Sequence, residues 1–319
     1  MATIKDVAKA AKVSISTVSY SLNGDPRIPE KTAAVIRQIA QEIGYFPSAA
    51  ARNLKKRTTQ TVLVAIADFG GPVYHNLLDG IHHELTKSNY TMIVSTGTSS
   101  ENLLKERSAD GAIITDIRIS DDSLRKIAKN FRPIVVLDRD LDETNIFPLT
   151  IDNQRAMSEM TMAIINEGYQ KIAYVHGVRE SHDDSERYKG FAKTMRKANI
   201  ETHSEHFGNF TKASGVAIAE TLLASGKNLP EMFVCANDEM AIGIIEALGS
   251  AGYRVPGDFG VSGFDDIELS VYIRPQLSTV KIDYFAWGTE IAATTLALLR
   301  GQPVRLHRQP GSIIIRDSF

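Results

Sequence analysis

Apolar residues recur at helical spacing at the start of the chain and gather into short separate runs after about residue 60, and the two patterns predict two kinds of domain. Ile4, Val7, Ala8 and Ala11 share one face of a first helix, with Thr3 as its cap and Asp6 in the first turn, where the helix dipole favours a negative charge. Ser14 can cap a second helix whose apolar positions are Ile15, Val18 and Leu22, and only Lys12 and Val13 join the two. Helices joined by so short a turn cross steeply, as in a helix-turn-helix. A third helix is expected over 29–43, with Pro29 at its start, Val35, Ile36, Ile39 and Ile43 facing inward, and Gly44 as its stop.

Beyond Gln60, apolar runs at 62–67, 91–95, 111–115, 134–138 and 149–151 read as buried strands alternating with helical stretches. A second set follows, with strands at 171–176, 205–207, 232–236 and 260–264 and helices at 153–167, 186–198, 211–224 and 239–250. Two such sets predict an α/β core of two doubly wound subdomains, with ligand sites at the carboxyl ends of the strands. The expected fold class is therefore a small all-α helix-turn-helix domain followed by that core.

The outer face of the second helix carries Ser16, Thr17, Ser19, Tyr20 and Asn23, short or planar hydrogen-bonding side chains suited to a DNA major groove. Charge sharpens this picture. Residues 1–60 hold ten Lys and Arg against four Asp and Glu, whereas the whole chain is at −2, so the head is basic and the rest acidic. That asymmetry is the footprint of a nucleic-acid binder. No secretion core follows Met1 and no apolar run reaches membrane-spanning length, so a cytoplasmic protein is expected. Cys235 stands alone in a strand pattern and reads as a buried thiol. His82 and His83 lack the spacing that puts two ligands on one helix face, and His203 and His206 have no third ligand nearby in sequence. With no nucleophile elbow, phosphate loop or dinucleotide fingerprint, no enzyme activity, cofactor or metal is expected.

The runs Ile-Lys-Asp-Val-Ala from Ile4, Val-Ser-Ile-Ser-Thr-Val-Ser-Tyr-Ser-Leu-Asn-Gly ending at Gly24, and Gly-Tyr-Phe-Pro-Ser-Ala-Ala-Ala-Arg-Asn-Leu ending at Leu54 resemble the LacI/GalR family of bacterial transcription regulators. The resemblance covers the whole chain. It implies a headpiece at 1–46, a hinge helix and linker at 47–60, and a periplasmic-binding-protein-like core at 61–319. The core would have an N-lobe of about 61–151 and 280–308 and a C-lobe of about 152–279 and 309–319. By the same resemblance Ile15, Ser16 and Tyr20 read base edges, with Thr3, Thr17, Ser19 and Asn23 on the same DNA-facing surface. The segment 48–54 matches the hinge helix, with Leu54 at the position of a leucine that wedges into the minor groove and Ala51 and Lys55 beside it. Arg52, Lys55, Lys56 and Arg57 suit phosphates.

The resemblance also assigns Tyr74, Asp138, Arg187, Phe210, Asn237 and Asp265 to an effector site. A carboxylate and a guanidinium each grip neighbouring hydroxyls, an amide donates and accepts, and an aromatic ring packs on a sugar's C–H face, so a carbohydrate is the expected effector. Asp238 is expected to cap the helix at 239–250, and Asp152 or Asn153 the helix at 153–167. The connection at 96–110 is short for the family, leaving barely two helical turns over 101–107 and an altered pocket wall at 97–100. Partners implied are a near-palindromic double-stranded operator and a second copy of the chain, docking through 239–250 and 268–273. No leucine heptads follow the last strand, so no tetramerising tail is expected. The expected role is a repressor. The alternative, a periplasmic-type sugar-binding protein without a regulatory role, has no use for the basic head.

Overall fold

The computed structural model describes residues 2–46, 58–131, 133–226 and 229–319. It separates into two compact units, Met1–Thr59 and Gln60–Phe319. In the first, α1 (Ile4–Ala11), α2 (Ile15–Leu22) and α3 (Glu30–Glu42) enclose Val7, Ala8, Val18, Ile36 and Ala40. Asp6 accepts from the Thr3 backbone N–H and hydroxyl at 2.8 and 2.7 Å, and the Ser14 hydroxyl accepts from the Thr17 N–H at 3.0 Å. Lys12 adopts a left-handed φ of 53°, which closes α1 and lets α2 begin after only two further residues.

Two side chains expected inside this core lie outside it. Val35 is 54% exposed and Ile43 37%. The inward stripe of α3 is Ala33, Ile36 and Ala40. Val35 sits about 100° around the helix from Ile36, and Ile43 is already the C-cap residue beyond the last turn. Ala51, Leu54 and Lys55, with the rest of the expected hinge helix, fall at 47–57 and lie outside the described residues.

The second unit holds two parallel sheets. The first runs in the order β2 (Thr91–Thr96), β1 (Thr61–Ile66), β3 (Gly111–Thr115), β4 (Ile134–Val136), β5 (Ile146–Pro148). The second runs β7 (Ser204–Phe207), β6 (Ile172–His176), β8 (Met232–Cys235), β9 (Gly260–Ser262). Every residue of β1 and β8 is buried, as expected of strands covered on both faces. Cys235 is among them, and burial pushes its thiol well above the usual range. Around the first sheet lie α4 (Pro72–Lys87), α5 (Gly97–Lys105) and α6 (Asp121–Ala128); around the second lie α7 (Asn153–Asn166), α8 (His182–Lys197), α9 (Lys212–Ser225) and α10 (Asp238–Ser250). The chain passes between lobes at Ile151, which bridges to Gln309, and through the antiparallel pair β10 (Thr279–Lys281) and β11 (Ser312–Ile314).

Between β10 and β11, α11 (Tyr284–Leu299) returns to the first lobe and packs on α4. Their approach depends on two glycines. A Cβ on Gly80 would stand 2.2 Å from the Phe285 carbonyl oxygen, and one on Gly288 would stand 2.3 Å from that of Leu77. Three elements start three or four residues before their expected place, among them α8, which begins at His182 behind its Ser181 cap rather than at 186. The strand expected at 149–151 forms earlier, as β5, where Ile146 pairs with Ile134, and Leu149 and Ile151 are instead buried in the crossing. The short helix expected at 101–107 begins at Gly97, directly after β2, with its first N–H held by the Asp116 carboxylate at 3.0 Å. Residues 97–100 are thus the first turn of a helix rather than a loop.

Candidate functional site

On the head, Ser14 to Asn23 present the candidate DNA-facing side chains. Thr3, Ile15, Ser16 and Asn23 are exposed, and Thr17, Ser19 and Tyr20 half-buried. Local bonds orient several of them. Thr17 and Ser14 hydroxyls lie 2.8 Å apart, the Asn23 amide donates to the Ser19 carbonyl at 2.7 Å, and Arg27 sits 4.3 Å over the Tyr20 ring. Arg27 is itself held by Asp25 at 2.6 Å, so the ring and its cation form one fixed block beside the helix.

In the core, a cleft of about 420 Å³ opens between the lobes, and Tyr74, Asp138, Arg187, Phe210, Asn237 and Asp265 all line it. The topology explains why such distant residues meet. Asp138, Phe210, Asn237 and Asp265 each follow the carboxyl end of a parallel strand, β4, β7, β8 and β9 respectively, and Tyr74 lies in the first turn of α4.

Arg187, 4% exposed, is the most constrained of these side chains. Its Nε donates to Asn153 at 2.9 Å and Nη1 to the Ala236 carbonyl at 2.6 Å; Nη2 lies 3.7 Å from Asp265, and the guanidinium stacks 3.7 Å over Phe264. Asp265 accepts from the Tyr284 hydroxyl at 2.7 Å, and burial pushes its carboxyl up to about 6 against the pull of Arg187. Its backbone has a φ of 114°, and its N–H donates to Val280 of β10 at 2.7 Å, so this carboxylate is fixed to a crossing strand. Asp138 is gripped by both Arg139 N–H groups at 2.9 and 3.0 Å, although burial still raises its carboxyl. The Asn237 amide donates to the Phe210 carbonyl at 2.8 Å while its oxygen accepts from the Met240 N–H at 3.1 Å.

That last bond corrects the expected caps. Asn237, not Asp238, caps α10. Asp238 is fully buried and accepts from the Ile267 N–H at 2.9 Å, the Ser270 hydroxyl at 2.7 Å and the Thr279 hydroxyl at 2.5 Å. It ties α10 to β10. Asp152 occupies the N-cap of α7 without a side-chain cap bond, and Asn153 is spent on Arg187 and Asp183. The cleft is also lined by Asp68, Asp183, Glu239, Tyr284 and Trp287, which lie outside the sequence motifs. Asp68 and Glu239 stand just past β1 and β8, so the strand-end rule alone would have found them. The shortened segment at 96–110 contributes nothing to the lining. Among the described residues no group of three His, Cys, Asp or Glu could hold a metal ion, and no helix is long and apolar enough to cross a membrane.

A helix-turn-helix head and a core of two doubly wound lobes around a cleft define the class of periplasmic-binding-protein-like regulators. Comparison with known proteins agrees. Residues 3–48 match the lacI family of bacterial regulatory proteins, and residues 162–319 match the periplasmic binding protein-like domain. The chain is 31% identical over 289 residues to catabolite control protein A of Priestia megaterium, covering 87% of this chain and 86% of that protein. The lac repressor dimer bound to operator and the anti-inducer ONPF superimposes with a TM-score of 0.88 at 25% identity, over 99% of this chain and 98% of that one. The transcriptional regulator CelR in complex with cellobiose gives 0.74 at 25% identity over the full length of both. This chain belongs to the LacI family of DNA-binding transcription regulators.

Proposed function

We propose that the protein is a cytoplasmic, non-enzymatic repressor that binds a near-palindromic operator as a homodimer and is controlled by a carbohydrate held between the core lobes. The observation that carries this reading is the cleft itself: six side chains from both lobes converge on it, and its C-lobe wall is bonded directly to crossing strand β10 through Asp265 and Asp238. A ligand that changes the lobe angle therefore strains or relaxes the same bonds that fix the wall, and a difference of a few kcal/mol between two lobe angles suffices to shift the population. In the relatives described above, operator and ligand are bound by proteins of this architecture, which supports the same pairing here.

In this scheme Ile15, Ser16 and Tyr20 contact bases, Thr3, Thr17, Ser19 and Asn23 complete the DNA-facing surface, and Ala51, Leu54 and Lys55 act at the minor groove. Trp287 is the only tryptophan of the chain and lines the cleft at 5% exposure, so its emission reports occupancy. Titration with a panel of uncharged mono- and disaccharides is expected to give a saturable change for at least one, lost in Arg187→Met. A panel in which no sugar responds contradicts the carbohydrate assignment.

A further inference from the structure

The electrostatics of the cleft restrict what it can hold, an inference that rests on the cleft being the effector site. Among the described residues five carboxylates line it, Asp68, Asp138, Asp183, Glu239 and Asp265, against a single cation, Arg187. Asp265 matches Arg187, and Arg139 behind the wall matches Asp138. Asp68, Asp183 and Glu239 have no ion-pair partner among the described residues, and Glu239 is raised by burial and by Asp68.

Three helices, α4, α8 and α10, direct their N-termini at the cleft, the feature that elsewhere makes a ready anion site. Two of these termini carry the chain's own carboxylates. Asp183 and Asp184 lie in the first turn of α8 and Asp238 and Glu239 in that of α10, whereas the first turn of α4 holds no acidic residue and Asp68 accepts the Gly70 N–H at 2.8 Å ahead of it. A phosphate or carboxylate entering between the lobes meets a net negative lining in a partly desolvated space, and at α8 and α10 the first helical turn already holds carboxylates.

We propose that the cleft selects effectors without phosphate, sulfate or carboxylate groups, and that Asp68, Asp183 and Glu239 are the residues that reject anionic sugars. The class it takes is the uncharged polyol; sugar phosphates and uronates are excluded by charge rather than by size.

The test uses Trp287 emission of the full-length protein at constant ionic strength, with inorganic phosphate, glucose 6-phosphate and glucuronate as probes. Wild-type protein is expected to show no saturable response to any of the three up to about 10 mM, an affinity of only about 3 kcal/mol. The variant Asp68→Asn/Asp183→Asn/Glu239→Gln is expected to gain a saturable phosphate response at least about tenfold tighter than that limit. A saturable wild-type response to any of these anions overturns the proposal, as does a variant that folds with unchanged melting temperature yet stays blind to all three. The uncharged-sugar panel fails or succeeds independently: if no uncharged sugar responds while the anion results hold, the carbohydrate reading and the uncharged-polyol class both fall, and only the exclusion of anions stands.

Discussion

Asp238 illustrates how far one side chain's role depends on contacts that local sequence does not reveal. In sequence it sits where a capping aspartate belongs, next to Asn237, and the two are interchangeable by propensity. The fold separates them: Asn237 takes the cap, and Asp238 is enclosed with donors from Ile267, Ser270 and Thr279, which lie 29, 32 and 41 residues away. Burial, reinforced by neighbouring Asp265, pushes its carboxyl up to about 8 from an ordinary 3.8. A carboxyl raised on folding favours the folded state below its unfolded value and loses that contribution as pH rises to the folded value. The wild-type core is therefore expected to lose stability between about pH 4 and pH 8. Asp238→Asn, a mimic of the neutral acid, should remove much of that decline, as read from urea midpoints at pH 5 and pH 8. His176 adds to the same trend. Burial alone would lower it, but Asp184 at 2.9 Å and Glu205 at 3.2 Å outweigh burial and raise it. Its contribution is present below about pH 6.5 and is lost above the raised value, so His176→Gln should flatten the upper part of the curve.

At the scale of elements, periodicity located what is amphipathic and missed what is not. The first two helices were legible because caps, charges and apolar spacing agree at Thr3, Asp6 and Ser14. Ser14→Ala is expected to lower head stability by about 1 kcal/mol, measured on thermal unfolding of the head's helical signal. Helix α11 was not legible, because its run is apolar on nearly all sides and only packing against α4 sets its buried face. Gly80 and Gly288 disfavour helix by propensity, yet they let the two backbones meet. Gly288→Ala should destabilise the core by about 1–3 kcal/mol through overpacking, whereas propensity alone predicts a gain of about 1 kcal/mol. The sign of the change in melting temperature decides between packing and propensity. The start of α5 at Gly97 was hidden for another reason: the Asp116 carboxylate that receives its first N–H comes from the next strand's end.

For the whole molecule, the two-lobed architecture was legible from alternating strands and helices, and the six motif-derived cleft residues do face one cavity. What sequence could not supply was the balance of charge in that cavity, since Asp68, Asp183 and Glu239 come from three separate strand–helix junctions and meet only when both lobes are built. Coupling from cleft to DNA belongs at this scale as well. An apolar wedge between base steps costs a few kcal/mol and is offset by the added contact with bent DNA. Leu54→Ala is therefore expected to weaken operator affinity at least about tenfold and to reduce bending, measured by gel mobility on permuted operator fragments.

The central claim, a dimeric regulator reading a two-fold operator, is tested most directly by selecting bound sequences from a random duplex pool with the full-length protein at near-physiological salt, where non-specific phosphate binding is suppressed. The account predicts enrichment of a near-palindrome of roughly 14–20 base pairs, with half-sites about one helical turn apart. Enrichment of a single unpaired half-site, or of nothing in both the presence and the absence of the sugar panel, would contradict it.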